Sequence, residues 1–319
     1  MRRFKNILYF ADESTDRGSA LERALALASD NQARLTIFDS LPARDSGLDV
    51  EGRSNLDIER MLRKDREAGI DRLVSSLNES RIEIRKRVVS GIAFVEVIRA
   101  VLAGQYDLVI KQARPPDSFV KRALGSTDLH LLRKCPCPIW IDRPDAKYPY
   151  RTLLAAVDPA DGQQEDSARL IMDLATSLAE REQASLAIVH AWRLPAESLL
   201  RSGRAEISEV ELERLLDETR TRHRDRLARL LAEYGIAASD ARVHLVKGDP
   251  APSIRALSGE LDADLVIMGT LGGRAIPGVF IGNTAEDLLQ TTQASVLAIK
   301  PLGFVTPVTS AASDGVTAG

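Results

Sequence analysis

Gly269-Thr270-Leu271-Gly272, nine residues, and then Gly282-Asn283-Thr284 form a frame that could seat a phosphate group. The frame directly follows the apolar run Leu265–Met268 and leads into a predicted helix. Gly269 and Gly272 can take positive φ and let the backbone come close to an anion. At Gly282-Asn283-Thr284 the free amides and the positive dipole end of the next helix point at the same spot. Asn283 is expected to be the N-cap of that helix, with the Thr284 hydroxyl nearby. The same glycines could instead make only a tight turn and a close helix–sheet contact. Nucleotide binding, another ligand and a purely structural turn all fit at this point.

A second frame sits earlier in the chain, stripped of most of its glycines. It reads Gln112-Ala113-Arg114-Pro115, nine residues, then Gly125-Ser126-Thr127. Subtracting 112 from 269 and 125 from 282 gives 157 both times, so the chain is a duplication whose halves have diverged. Gln112 replaces a glycine, and Pro115 and Pro116 have no amide hydrogen to donate. Two lost charge-assisted hydrogen bonds cost roughly 3–6 kcal/mol. That weakens a micromolar site to about millimolar or worse. Lys111, Arg114, Lys121 and Arg122 make the loop basic, which suits either a different anion held by side chains or a solvated rim.

Other chemistry is sparse. His130, His190, His223 and His244 lie on different elements without metal-ligand spacing. Cys135 and Cys137 precede a buried strand, and no second pair completes a zinc site. No nucleophile–base pair can be named. With 44% apolar and 28% charged residues and a net charge of −3, the composition is that of a globular protein without a field for nucleic acid or membrane. The helices carry no basic face, which argues against direct DNA binding. Two cysteines, no signal-peptide run and no long apolar stretch point to a cytoplasmic protein that does not span a membrane.

The elements that must position the frames repeat in one order. First strands end in aspartate at Ile7–Asp12 and Leu153–Asp158. Amphipathic helices follow at about 19–31 and 165–182, then second strands at Leu35–Phe38 and Leu186–His190. Each half continues with a longer helix and a third strand, at Ile84–Val89 and Val243–Val246. From there the halves align without a gap, Asp107–Ile110 with Asp264–Ile267 and Ile139–Ile141 with Val296–Ala298. Strand and helix in alternation predict an α/β fold of two doubly wound parallel sheets. Residues 1–146 are expected to form one domain and 147–304 the second, joined at the proline-bearing linker 143–149, with 305–319 a disordered tail.

Together the Gly-x2-Gly-x9-Gly frame, Ala156-Val157-Asp158 and Val246-Lys247-Gly248-Asp249-Pro250 resemble the universal stress protein family, over nearly the whole chain and in its tandem two-domain type. The resemblance implies strand order 3-2-1-4-5 in each copy, the fold of adenine nucleotide alpha-hydrolases, and packing about a pseudo-twofold axis as in an intramolecular dimer. It also implies stress tolerance, including survival of DNA damage, usually without established catalysis. Carried over, Asp158 would lie beside a nucleotide such as ATP with Mg, and Ala191 would meet the adenine through its backbone. Gly269, Gly272, Gly282 and Asn283, with Thr284, would hold the phosphates; Asn283 stands where ATP-binding members have Ser or Thr. The first copy matches only at Asp12, Gly125 and Ser126. The alternative is a scaffold for another small ligand or a protein partner, with both sites degenerate. Whether the tandem unit associates further is left open by the sequence.

Overall fold

The computed structural model describes residues 4–12, 18–42, 55–76, 82–113, 126–146, 148–160, 162–202, 207–270 and 282–309. The expected tail falls partly on 310–319, outside the described residues.

In the first half the order is β1 (Asn6–Phe10), α1 (Ser19–Asn31), β2 (Arg34–Leu41), α2 (Asn55–Ser76), β3 (Ile84–Ser90), α3 (Ala93–Gly104), β4 (Leu108–Gln112), α4 (Ser126–Lys134) and β5 (Ile139–Asp142). The second half repeats it with β6 (Thr152–Ala156), α5 (Gln163–Glu182), β7 (Ser185–Trp192), a short extra helix α6 (Glu197–Arg201), and α7 (Glu209–Ala232). It closes with β8 (Val243–Lys247), α8 (Pro250–Glu260), β9 (Leu265–Gly269), α9 (Asn283–Thr291) and β10 (Ser295–Ile299). The start of α7 shows how sequence sets a boundary. Ser208 accepts from the Glu211 amide, and the Glu211 carboxylate accepts from the Ser208 amide, a reciprocal capping box.

Strands run β3-β2-β1-β4-β5-β10-β9-β6-β7-β8, so each half has the order 3-2-1-4-5. The two sheets are one. β5 and β10 pair antiparallel, with Leu297 opposite Trp140, Val296 opposite Ile141 and Ala298 opposite Ile139. Leu297 is also the residue 157 positions after Trp140, so the pseudo-twofold axis passes through that pair. Because central strands are buried on both faces, their side chains feed two cores. One joins Ile7, Tyr9, Ile267 and Leu297 to α1, α2, α5 and α7. The other joins Leu8, Phe10, Val266 and Val296 to α3, α4, α8 and α9.

Beside the axis a charged group crosses from half to half. Arg23 of α1 is 0% exposed. Its guanidinium lies 3.6 Å from Asp142 on β5 and 3.2 Å from Glu182 at the end of α5. The Tyr150 ring lies 3.5 Å from the guanidinium carbon, and Trp140 and Tyr148 flank it. Tyr150 donates its amide to Glu182 at 2.7 Å and its hydroxyl to Asp142 at 2.5 Å, while Ser295 of β10 donates to the same Asp142 oxygen at 2.8 Å. Burial holds the Tyr150 hydroxyl well above its ordinary pKa, with Asp142 adding to the shift, so it stays a donor.

Removing the cation takes away the buried partner of Asp142 and leaves Glu182, among the described residues, only the cation of Arg181, at 3.5 Å. Arg23→Ala is expected to lower stability by about 3–5 kcal/mol, the usual cost of breaking a buried ion pair. An unchanged urea midpoint would show that the group is energetically idle.

Candidate functional site

At the carboxyl end of β9 the chain is pinned before it leaves the sheet. Thr270 is 1% exposed and donates its amide (2.9 Å) and its hydroxyl (3.3 Å) to the Ile299 carbonyl. The Thr270 carbonyl then accepts from the Gly282 amide at 2.8 Å, which brings the two ends of the glycine frame together. Gly269 closes β9 opposite Ile299 as extended strand, so the positive φ available to it is not used. Gly272, with all of 271–281, lies outside the described residues.

The cap of α9 is Gly282 (φ −60°, ψ 143°), and Asn283 is its first helical residue. The expectation of Asn283 as N-cap is therefore wrong by one residue. The reason is physical: the non-helical turn falls on the glycine, whose carbonyl accepts from Glu286 at 3.0 Å. One consequence is that the amides of Asn283, Thr284 and Ala285 all belong to the first turn, where no intrahelical acceptor exists.

Asp158 follows β6 and is exposed, with the preceding Val157 amide bonded to Val189 at 3.0 Å. Neighbouring residues of a parallel strand turn their peptide groups to opposite sides. Val189 serves the β6 side, and Trp192 serves the β8 side by accepting from Gly248 at 2.8 Å. Ala191 therefore presents its N–H and C=O toward β6, beyond the point where β6 has ended and beside Asp158. On the other side of β7, a cleft of about 610 Å3 opens between 193–198 and Lys247–Asp249.

Beneath this end lies a pair that the sequence spacing did not reveal. His190 places Nδ1 3.0 Å from the Val157 carbonyl and Nε2 2.8 Å from Nδ1 of His223 on α7. The carbonyl can only accept, so neutral His190 donates from Nδ1 and accepts from the His223 N–H through Nε2. Burial is the main cause holding both imidazoles below the ordinary 6.5; His223 is lowered further by His190, and Asp158 pulls both back up in part. Only the three-dimensional crossing of α7 over β7 makes the pair, and its one sequence signal is a histidine inside an otherwise apolar strand.

Beside the first-half frame the described residues form a buried ion group. Lys111 of β4, the counterpart of Met268, is 1% exposed, with Nζ 2.9 Å from Asp12 and 2.6 Å from Asp128. This corrects the reading of Lys111 as part of a basic loop rim, since the apolar stem lies in the sheet and the ammonium is drawn inward by two carboxylates. Asp128, fully buried in the first turn of α4, takes the place of apolar Ala285 and supplies the negative charge that such a turn favours. The Gln112 side chain packs so closely on Gly18 that a Cβ there would lie 1.8 Å from its Oε1. Asp12 is thus committed to Lys111, and Ser126 is an exposed first residue of α4. Gly125, Arg114, Lys121 and Arg122 lie outside the described residues.

Cys135 and Cys137 are buried free thiols 3.6 Å apart, and the Cys137 thiol is raised well above its ordinary pKa by its bond to Cys135 and by burial. Among the described residues no group of three or more His, Cys, Asp or Glu is placed to hold a metal ion, and no helix is long and apolar enough to cross a membrane.

A fold of two 3-2-1-4-5 sheets with a glycine frame after the fourth strand defines a class, and the sequence profile of the universal stress protein family matches residues 3–143 and again 149–300. The chain belongs to the universal stress protein family. It is similar to universal stress protein E of Escherichia coli K12, 27% identical over 317 residues that cover 97% of this chain and 98% of the relative. The universal stress protein E homolog of Haemophilus influenzae is 26% identical across 94% of this chain and 98% of its own. Among solved structures, a functionally unknown protein of Pseudomonas aeruginosa PAO1 matches with TM-score 0.71 at 25% identity over 94% of both chains. A universal stress protein of Archaeoglobus fulgidus matches with TM-score 0.59 at 18% identity, over 92% of this chain and 98% of that one. Membership in this family gives the chain a stress-response role.

Two outcomes follow from the geometry. Asp128→Ala is expected to cost up to about 3 kcal/mol by leaving a buried ammonium underpaired, while Lys111→Met with Asp128→Ala, the second half's own residues, recovers most of that loss in urea unfolding. No recovery would mean that the loss in Asp128→Ala does not come from the unpaired Lys111 ammonium. For the histidines, the unfolded chain takes up protons before the folded one as the pH falls below about 6.5. Stability is therefore expected to drop between pH 7.5 and pH 5.5, and to drop less in a His190→Gln/His223→Gln variant. Equal drops in the unfolding midpoint would contradict this.

Proposed function

We propose that the second half binds an adenine nucleotide as a regulatory ligand and that the first half is a fixed partner that binds none. The observation that carries this reading is that three unlike groups lie at the carboxyl ends of the adjacent parallel strands β7, β6 and β9. Ala191 turns backbone N–H and C=O groups toward Asp158, an exposed carboxylate stands at the end of β6, and the first-turn amides of α9 lie beyond the pinned Thr270–Gly282 bond. These suit a base edge, a ribose and a phosphate chain in that order. Gly272, Asn283 and Thr284 complete the phosphate end in this reading. Magnesium would arrive on the phosphates, since the ion keeps most of its waters and needs few protein ligands. The nucleotide is sensed and hydrolysed slowly at most. Its binding serves cytoplasmic stress tolerance, including survival of DNA damage, with neither nucleic acid nor membrane as a direct partner.

The buried ion group beside the first frame favours a second reading, in which the other site is also rededicated to a different small ligand or a protein. Calorimetry and thermal unfolding with ATP and Mg²⁺ separate the two. Ligand at 100 times its dissociation constant stabilises by about 2.7 kcal/mol, so a clear rise in Tm at millimolar ATP is expected. Gly282→Val is expected to abolish the rise, because a branched side chain would stand beside the first-turn amides of α9. The absence of both heat and stabilisation with the unmodified chain would refute nucleotide binding, and unchanged affinity in Gly282→Val would place the nucleotide elsewhere.

A further inference from the structure

The helices that follow the two frames are each held at their far end by the opposite half. Arg143 is the first residue after β5, and Lys300 is the first after β10. They are 157 positions apart, hence equivalent residues of the duplication. Lys300 of the second half donates Nζ to the carbonyls of Leu132 and Arg133, in the last turn of first-half α4. Arg143 of the first half donates Nη2 to the carbonyl of Thr292, the C-cap of second-half α9, at 2.5 Å, and Nε to that of Ala294 at 3.5 Å. Its own amide donates to Ser295 at 3.0 Å, which fixes it to the start of β10.

A third link lies near the front of α9. Arg133 of α4 pairs with Glu286, one turn from the Gly282 cap. Lys300 is only 5% exposed, and burial pushes its pKa down to about 8. A cation is placed there at a cost, and the carbonyls it satisfies are groups that a helix end cannot pair within itself.

We infer that the two halves hold each other's frame helices crosswise, and that Arg143 is a positioning residue for the phosphate seat of the second half. Its guanidinium ties the C-terminal end of α9 to β5, so the direction in which the Asn283, Thr284 and Ala285 amides point is set from across the axis. A cation at this end also favours the helix dipole whose positive end faces the proposed phosphates. First-half residues thereby complete a second-half site that they never touch.

The inference rests on the nucleotide reading for its functional part and on geometry for the rest, so two readouts are needed. Hydrogen exchange by mass spectrometry on the full chain is expected to show faster exchange in 283–291 for Arg143→Ala with α4 unchanged, and the reverse for Lys300→Met. Arg143→Lys should restore slow exchange, since an ammonium already does the equivalent task at Lys300. ATP affinity is expected to weaken about tenfold in Arg143→Ala, the scale of a helix-terminal charge, and to recover in Arg143→Lys. Unchanged exchange in α9, equal loosening of both helices, or ATP bound as tightly by Arg143→Ala as by the unmodified chain would each overturn the proposal. An unmodified chain that binds no ATP would refute the nucleotide reading instead, and the crosswise hold would then stand or fall on exchange alone.

Discussion

Everything in this molecule hangs on the antiparallel pairing of β5 with β10. Either half alone would end in an open strand edge with a row of unpaired peptide groups. Joined, the edges satisfy each other and the two sheets become one. The contact needs more than backbone bonds, because helices from both halves must meet above it. Arg23 fills that space with a charge shared between Asp142 on the strand and Glu182 from the neighbouring half. A buried ion group of this kind gains little net energy but is costly to break. Its three members come from α1, α5 and β5, so it is satisfied only when these elements sit in one arrangement.

Against this common frame the halves differ by charge rather than by shape. The first half places an ammonium and two carboxylates where the second has Met268, Ala285 and an exposed Asp158. An internal carboxylate in the first turn of α4 does the electrostatic task that a bound anion would do in α9. One half thus carries its own counter-charge in that turn, where the other half has the apolar Ala285.

The sequence was readable wherever one element decides its own form. The span of α1 and the apolar strands follow from periodicity, and strand order in each half follows from the family resemblance. The glycine frame was legible as a loop between strand and helix, and the structure shows its ends joined through Thr270. What could not be read are meetings between distant residues. Nothing local says that Lys111 turns inward to Asp12 and Asp128, because lysine in a loop-flanking position is ordinarily solvated. His190 and His223 are 33 residues apart and meet only because α7 crosses β7. The Asn283 cap failed by a single residue, since glycine can cap a helix without any side-chain signal.

The pairing of Trp140 with Leu297 has a consequence of its own. In a dimer of identical chains, a residue on the twofold axis meets only its copy, so the gap must suit two tryptophans or two leucines. Covalent fusion of the copies lifts that restriction, and here one large side chain faces one of middle size across the axis. A gene that encodes both partners in one chain can thus choose each side of its own seam separately.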